Sequence, residues 1–295
     1  MAEPRPLRDY SRSRAVLLGA WDYSDLESVP AACHSLKRME ALLTGPLCGW
    51  PVTRVEVVAN ADRRGELPDR LMRLFGDVSD VALFYFVGHG QLYDDELCLA
   101  LAESPGKGSR RKTTGLPFSD VRNALRESDA KTKIVILDCC FSGQATRSGH
   151  GLDAAAADVT DMSVGAGEFT MAATTTYRTA WFETSRRVDG PQTYFTKYLI
   201  DTIEQGLHGC GDGLPLGAVF SHTADALARD KRPVPTHSVR HHADRFILAR
   251  NVGGTEGELL PGPEKRRFGR RAILAAGLVV AIAVITLAMV ILHTV

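Results

Sequence analysis

Two residues of this chain, Cys140 and His89, are of types that serve nucleophilic catalysis, and both stand where a strand should end. Cys140 lies in KIVILDCCFSG, residues 133–143, where an apolar run gives way to an acid, two thiols and, three residues past Cys140, a glycine. His89 lies in FYFVGHGQ, between Gly88 and Gly90. In a parallel sheet the carboxyl ends of strands line the ligand crevice, so neighbouring strands of this kind bring thiol and imidazole together. A cysteine is partly thiolate near neutral pH and attacks a carbonyl; a histidine beside it manages the proton. Flanking glycines let the backbone turn sharply and a substrate approach closely. A lone His or Cys is usually a packed core residue. The pair, each at a glycine-flanked strand tip, points to chemistry.

The elements needed to hold that pair are legible. Residues 14–19, 53–61, 80–90, 96–104, 133–140, 168–175 and 244–250 read as strands. The run 80–90 is apolar almost throughout, which predicts a central strand covered on both faces. Helices are predicted from Pro30 to Gly45 and over 67–77, 117–128, 190–206 and 215–230. In the first, Ala32, Leu36, Met39 and Leu43 share a face, and Gly45-Pro46 stops it; in the third, Ser119 is the expected cap. Strands alternating with helices give an α/β fold with a mostly parallel sheet between helical layers. Residues 104–115 and 144–167 read as loops, the second long enough to suggest a functional role.

The 295 residues suffice for one large α/β domain or two small ones, and 44% hydrophobic content fits an ordinary core. Formal net charge is zero, so nothing global suggests a nucleic-acid partner. The six cysteines are irregularly spaced with no CxxC, and no Cys/His set has zinc-ligand spacing. Reduced thiols in a cytosolic compartment are expected, and no metal site. The basic start, MAEPRPLRDYSRSR, lacks the apolar core of a secretory signal. Residues 272–292 hold no charge and, at ~1.5 Å per residue, span about 30 Å, the thickness of the hydrocarbon layer. EKRRFGRR precedes them, which puts the N-terminal side in the cytoplasm. The expected organisation is an N-terminal tail (1–13), a catalytic domain (14–250), a linker (251–271) basic at its end, and a single-pass transmembrane helix (272–292) that anchors the protein to the cell membrane with its catalytic domain cytoplasmic.

His89 lies 51 residues before Cys140. That separation, with YFVGHGQ and DCCFSG, resembles the caspase/metacaspase superfamily, bacterial in style, over roughly 14–250. DCCFSG is closer to the metacaspase DxCxSG than to QACxG; AWFETS and GPQTYFTKYL resemble the family's small-subunit region. The resemblance implies a caspase-like fold and a cysteine endopeptidase. Cys140 is then the nucleophile, His89 the acid for the leaving amine, and the main-chain N–H groups of Gly90 and Cys140 the oxyanion hole. Cys139, on the opposite face of the strand, is expected to pack. Asp138 occupies the position that in metacaspases lines a pocket for Arg or Lys; a carboxylate in a narrow pocket favours a cation. Asp22–Leu36 contains no Arg of the kind that selects aspartate in caspases. The sequence departs from the metacaspase pattern at Ser35, where a second pocket acid is usual; Asp25 and Glu183 are the acids available to replace it. An acid that only caps a neighbouring turn is the other reading of Asp138.

No cofactor is required by this chemistry. Calcium activation is known in some metacaspases, and YDDE (93–96) offers acids, although such surface acids are commonly just solvated. Arg147, within 144–167, would suit self-cleavage after a basic residue. The expected partners are a protein or peptide substrate and the membrane; the oligomeric state is left open. A role in stress, defence or cell death is implied by resemblance alone. Two alternatives use the same residues: a non-proteolytic membrane adaptor, and another thiol-dependent amidohydrolase.

Overall fold

In chain order the elements are β1 (Arg14–Gly19), α1 (Pro30–Thr44), β2 (Val55–Ala59), α2 (Leu67–Gly76), β3 (Val81–Tyr93), β4 (Glu96–Leu99), α3 (Arg111–Thr114), β5 (Leu116–Pro117), α4 (Phe118–Glu127), β6 (Thr132–Phe141), β7 (Glu168–Ala172), α5 (Tyr194–Gln205), β8 (Gly213–Pro215), α6 (Leu216–Arg229), β9 (Thr236–Val239) and β10 (Ile247–Arg250). The computed structural model describes residues 7–62, 64–93, 96–141, 167–173, 182–183 and 190–253, with the backbone alone for Tyr93, Cys140 and Phe141. All fall in the first of two compact units, Met1–Thr255; the second, Glu256–Val295, lies outside the described residues.

The main sheet runs β2-β1-β3-β6-β7-β9, parallel along that path except for β9 on β7, and β4 and β5 join it antiparallel from β3. β3 is central, as its apolar run predicts: Val81 through Val87 are all fully buried. Each such side chain contributes roughly 1.5–3 kcal/mol by leaving water, so this strand is the hub of both cores. Alternation divides it. Leu83, Tyr85 and Val87 face a core shared with α1, α5 and α6, while Phe84 and Phe86 face one shared with α2 and α4. The predicted face of α1, Ala32, Leu36, Met39 and Leu43, is buried, and Pro30 opens the helix at a position where a missing N–H costs nothing.

From Gly90, β3 continues as a hairpin with β4, so the strand that bears His89 extends past its pairing with β6. Two local expectations are corrected, on Ser119 and on residues 104–115. Ser119 does not cap α4; Pro117 precedes that helix, and the Ser119 hydroxyl donates to Glu96. Residues 104–115 are not wholly an exposed loop. Ser104 and Pro105 are buried, and α3 forms one helical turn there. β10 leaves the main sheet and forms a two-stranded ribbon with β8. The sheet edge is instead β9, whose THSV has too little apolar alternation to read as a strand.

None of the described helices is long and apolar enough to cross a membrane. The expected anchor at 272–292 lies outside the described residues, as do the linker beyond Gly253, the 142–166 segment with Arg147, and Asp94 and Asp95 of YDDE. Among the described residues no group of His, Cys, Asp or Glu is arranged to hold a metal ion.

Candidate active site

β3 and β6 are hydrogen-bonded neighbours, and their register pairs Val87 with Asp138, Gly88 with Cys139, His89 with Cys140 and Gly90 with Phe141. The histidine and the cysteine singled out in the sequence therefore share one rung at the carboxyl end of the parallel sheet. Gly90, the other residue expected in an oxyanion hole, is one step beyond. Cys139 is fully buried in the core facing α2 and α4, the packing role expected of it. Cys33, Cys48, Cys98, Cys139 and Cys210 are free thiols.

His89 is held on two sides by the loop after β1. Its backbone N–H donates to the Tyr23 hydroxyl at 2.9 Å, and that hydroxyl donates to the Ala20 carbonyl at 2.8 Å. The two rings lie 4.9 Å apart. Gly88 makes room for this arrangement: a Cβ there would stand 2.7 Å from the Tyr23 hydroxyl and 2.8 Å from the Ala20 oxygen. Nε2 of His89 lies 2.8 Å from the main-chain oxygen of Glu27. A carbonyl only accepts, so Nε2 carries a proton and the basic nitrogen of the neutral ring is Nδ1. The loop is itself pinned. Asn60 Oδ1 accepts from the backbone N–H groups of Trp21 and Asp22, Val29 N–H donates to Trp21, and Asp25 accepts from Gly106 N–H.

Burial pushes the His89 pKa down, opposed by its bond to the Glu27 carbonyl and by the Glu27 charge. The folded protein thus binds fewer protons at this ring than the unfolded chain does. The stability it contributes is present above the ordinary value and is lost as pH falls through the folded value. In the Cys140→Ala protein, which removes coupling to the thiol, an NMR titration of the His89 ring is expected to give a midpoint below the ordinary value of about 6.5. A midpoint above it would show that the carbonyl and the Glu27 charge outweigh desolvation.

Asp138 lies two rungs before Cys140, only 1% exposed, against the N-terminus of α5. Its Oδ2 accepts the Thr193 hydroxyl at 2.5 Å, the Thr196 N–H at 3.1 Å and the Thr196 hydroxyl. Thr193 is the residue before α5, yet its hydroxyl does not cap its own helix; the carboxylate of a distant strand takes that place. Ser35 completes the cluster. It accepts the Thr193 N–H at 3.0 Å and lies 2.8 Å from the Thr193 hydroxyl, while the Tyr85 hydroxyl lies 2.8 Å from that of Thr196. Burial pushes the Asp138 carboxyl pKa up, and the hydrogen bonds from Thr193 and Thr196 oppose it. Oδ1 has no hydrogen-bond partner among the described residues. The same holds for Oε1 of Gln192 and Oε2 of Glu183, which flank the bridge between Phe182 and Thr193. Asp25 is committed to Gly106 instead.

Glu27, Tyr23 and Asn60 escaped sequence reasoning, the first because a main-chain carbonyl has no sequence identity. Thr193 fell inside the helix predicted over 190–206, which instead begins at Tyr194, and nothing pointed it toward Asp138.

The sequence profile of the caspase domain, Peptidase_C14, matches residues 12–247. The chain belongs to the caspase-domain family. The caspase fold is also seen in the similarity to the crystal structure of caspase-1 from Spodoptera frugiperda, with a TM-score of 0.51 at 13% identity, covering 81% of this chain and 96% of that one. At that identity the likeness speaks to the fold alone. No curated protein sequence matches the chain. Membership makes this caspase-domain protein a cysteine-type peptidase at the level of its family, with proteins or peptides as substrates.

Proposed function

We propose that this caspase-domain protein is a membrane-anchored, metacaspase-like endopeptidase that uses a Cys140/His89 dyad and cleaves after Arg or Lys. The observation that carries the dyad is the pairing of His89 with Cys140 on one rung of adjacent strands. In this mechanism the Cys140 thiol gives its proton to His89, its sulfur bonds to the scissile carbonyl carbon, and the carbonyl electron pair moves to oxygen, facing the N–H groups of Gly90 and Cys140. Collapse breaks the C–N bond, and the amine leaves with the proton held by His89. Water then gives a proton to His89, attacks the thioester and releases the acid and the Cys140 thiol. The Glu27 carbonyl is the third member: it keeps the ring oriented and accepts from Nε2 while Nδ1 cycles.

The preference for a basic residue rests on the acceptor oxygens around Thr193. Asp138, Gln192 and Glu183 each have a buried oxygen without a hydrogen-bond partner among the described residues. An unsatisfied buried acceptor is costly, and a guanidinium or ammonium supplies the missing donors. Ser35 contributes a hydroxyl where a second acid is usual, so the negative charge of such a pocket comes from Asp138 and Glu183. The membrane anchor rests on the uncharged run 272–292 behind a basic flank, and tethering raises the enzyme's effective concentration near membrane-bound substrates. By resemblance, its setting is stress, defence or cell-death signalling.

The test is a peptide library varied at the residue before the cleaved bond, assayed with the full chain, reduced, with and without calcium. Arg and Lys are expected to exceed Asp by about 100-fold or more in kcat/KM. Cleavage after Asp, or equal cleavage after apolar residues, would refute the specificity.

A further inference from the structure

A hollow of about 360 Å³ opens at the edge of the sheet opposite His89, within the roughly 300–1,000 Å³ range of small-molecule sites. Its wall carries four guanidinium groups, those of Arg14, Arg54, Arg70 and Arg73, and one carboxylate, that of Asp77. They come from separate pieces of chain: the first residue of β1, the turn before β2, and α2. Arg14 donates through Nη1 to the Thr53 carbonyl at 2.9 Å, while its buried Nε has no hydrogen-bond partner among the described residues. Arg70 is paired with Glu56. The Arg54 and Arg73 side chains make no hydrogen bond with a described residue and no ion pair within 4 Å of a described carboxylate, although the exposed Asp9 carboxylate feels the Arg54 charge.

With Glu56, Asp77 and Asp9 all counted against the four arginines, the wall still keeps one net positive charge. Like charges gathered around one concavity repel, and a polyvalent anion removes that cost. The fork of a guanidinium fits two oxygens of a phosphate at once, and guanidiniums from different elements surround such a group. We propose that this hollow is a binding site for a phosphate-bearing anion. It is remote from the chemistry: from Val81 to His89, β3 rises roughly 26 Å at ~3.3 Å per residue. The ligand therefore acts on the domain or its placement rather than on the reacting atoms.

Two sources carry this chemistry, a soluble phosphate ester and a lipid headgroup. The chain leaves the domain near the same edge. Arg250 N–H donates to the Leu47 carbonyl at 2.8 Å, in the short connection from α1 to the turn that holds Arg54. The sequence that follows, EKRRFGRR, is basic as well.

The experiment is hydrogen exchange on the full chain in neutral detergent micelles, followed at 52–56 and 67–78. One arm adds pyrophosphate; the other dopes the micelles with phosphatidic acid at low free phosphate. Slower exchange in either arm is expected, with at least about tenfold weaker binding in the double variant Arg54→Glu/Arg73→Glu. That variant should keep wild-type peptide hydrolysis and melting. Protection by pyrophosphate identifies a soluble ligand, and protection by phosphatidic acid alone identifies a headgroup. No protection in either arm, or equal protection in the double variant, overturns the site. Because hydrolysis is read separately, its absence in wild type would count against the peptidase proposal and not against this one.

Discussion

Cys140→Ala is expected to lower peptide hydrolysis by at least about 10⁴-fold, and His89→Ala by about 10²–10⁴-fold. Cysteine is the only nucleophile on its rung, so its loss leaves binding and the oxyanion donors with nothing to form the thioester. The histidine change is milder because a cysteine already ionises partly without a base. Its loss is felt when the amine leaves and when water attacks, the steps that need a proton delivered and removed. The two residues act as a unit, so the double variant should be little worse than Cys140→Ala alone. Summed losses in the double variant, measured as kcat/KM on one Arg-containing peptide, would mean that they act independently. Neither change should unfold the domain, since β3 and β6 are held by the apolar residues Val81–Val87 and Ile134–Leu137. A matched denaturation curve is the control.

The second large effect concerns Asp138, where stability and specificity separate. Asp138→Ala removes the acceptor of three buried hydrogen bonds. The Thr193 and Thr196 hydroxyls can turn to other partners, but the Thr196 N–H is fixed by α5. The expected loss is about 3–5 kcal/mol in chemical denaturation. Asp138→Asn keeps one carbonyl oxygen for the Thr196 N–H and removes the charge. It should cost only about 1 kcal/mol yet cut the preference for Arg and Lys by about 100-fold. If Asp138→Asn keeps the full basic preference, Asp138 serves as the cap of α5 and selects nothing.

The two strand ends that carry His89 and Cys140 were legible because they are built from local signals. Two apolar strands, each ending in a reactive residue beside glycine, leave few ways to arrange a parallel sheet. The register that makes His89 face Cys140 was not legible, because a slip of one residue changes no composition. The supports of the site were hidden for a different reason. Ser35 and Thr193 are 158 residues apart, and Thr196 and Asp138 are 58 apart. Thr193 and Thr196 are unremarkable in their own segment, and the contacts that tie them to Ser35 and Asp138 exist only where α1, α5 and β6 meet. The strand read over 244–250 is present at Ile247–Arg250, and only its placement was hidden. Periodicity says nothing about which sheet accepts it. Ser119 shows the limit of cap rules: a residue one position inside the helix finds a better partner, Glu96, in the hairpin beside it.

The most direct measurement is covalent labelling of the full, reduced chain with an Arg-based electrophilic peptide, followed by peptide mass mapping. The account predicts one modification, on Cys140, absent in Cys140→Ala and slowed in His89→Ala. Labelling of another cysteine, or equal labelling of wild type and Cys140→Ala, would contradict it.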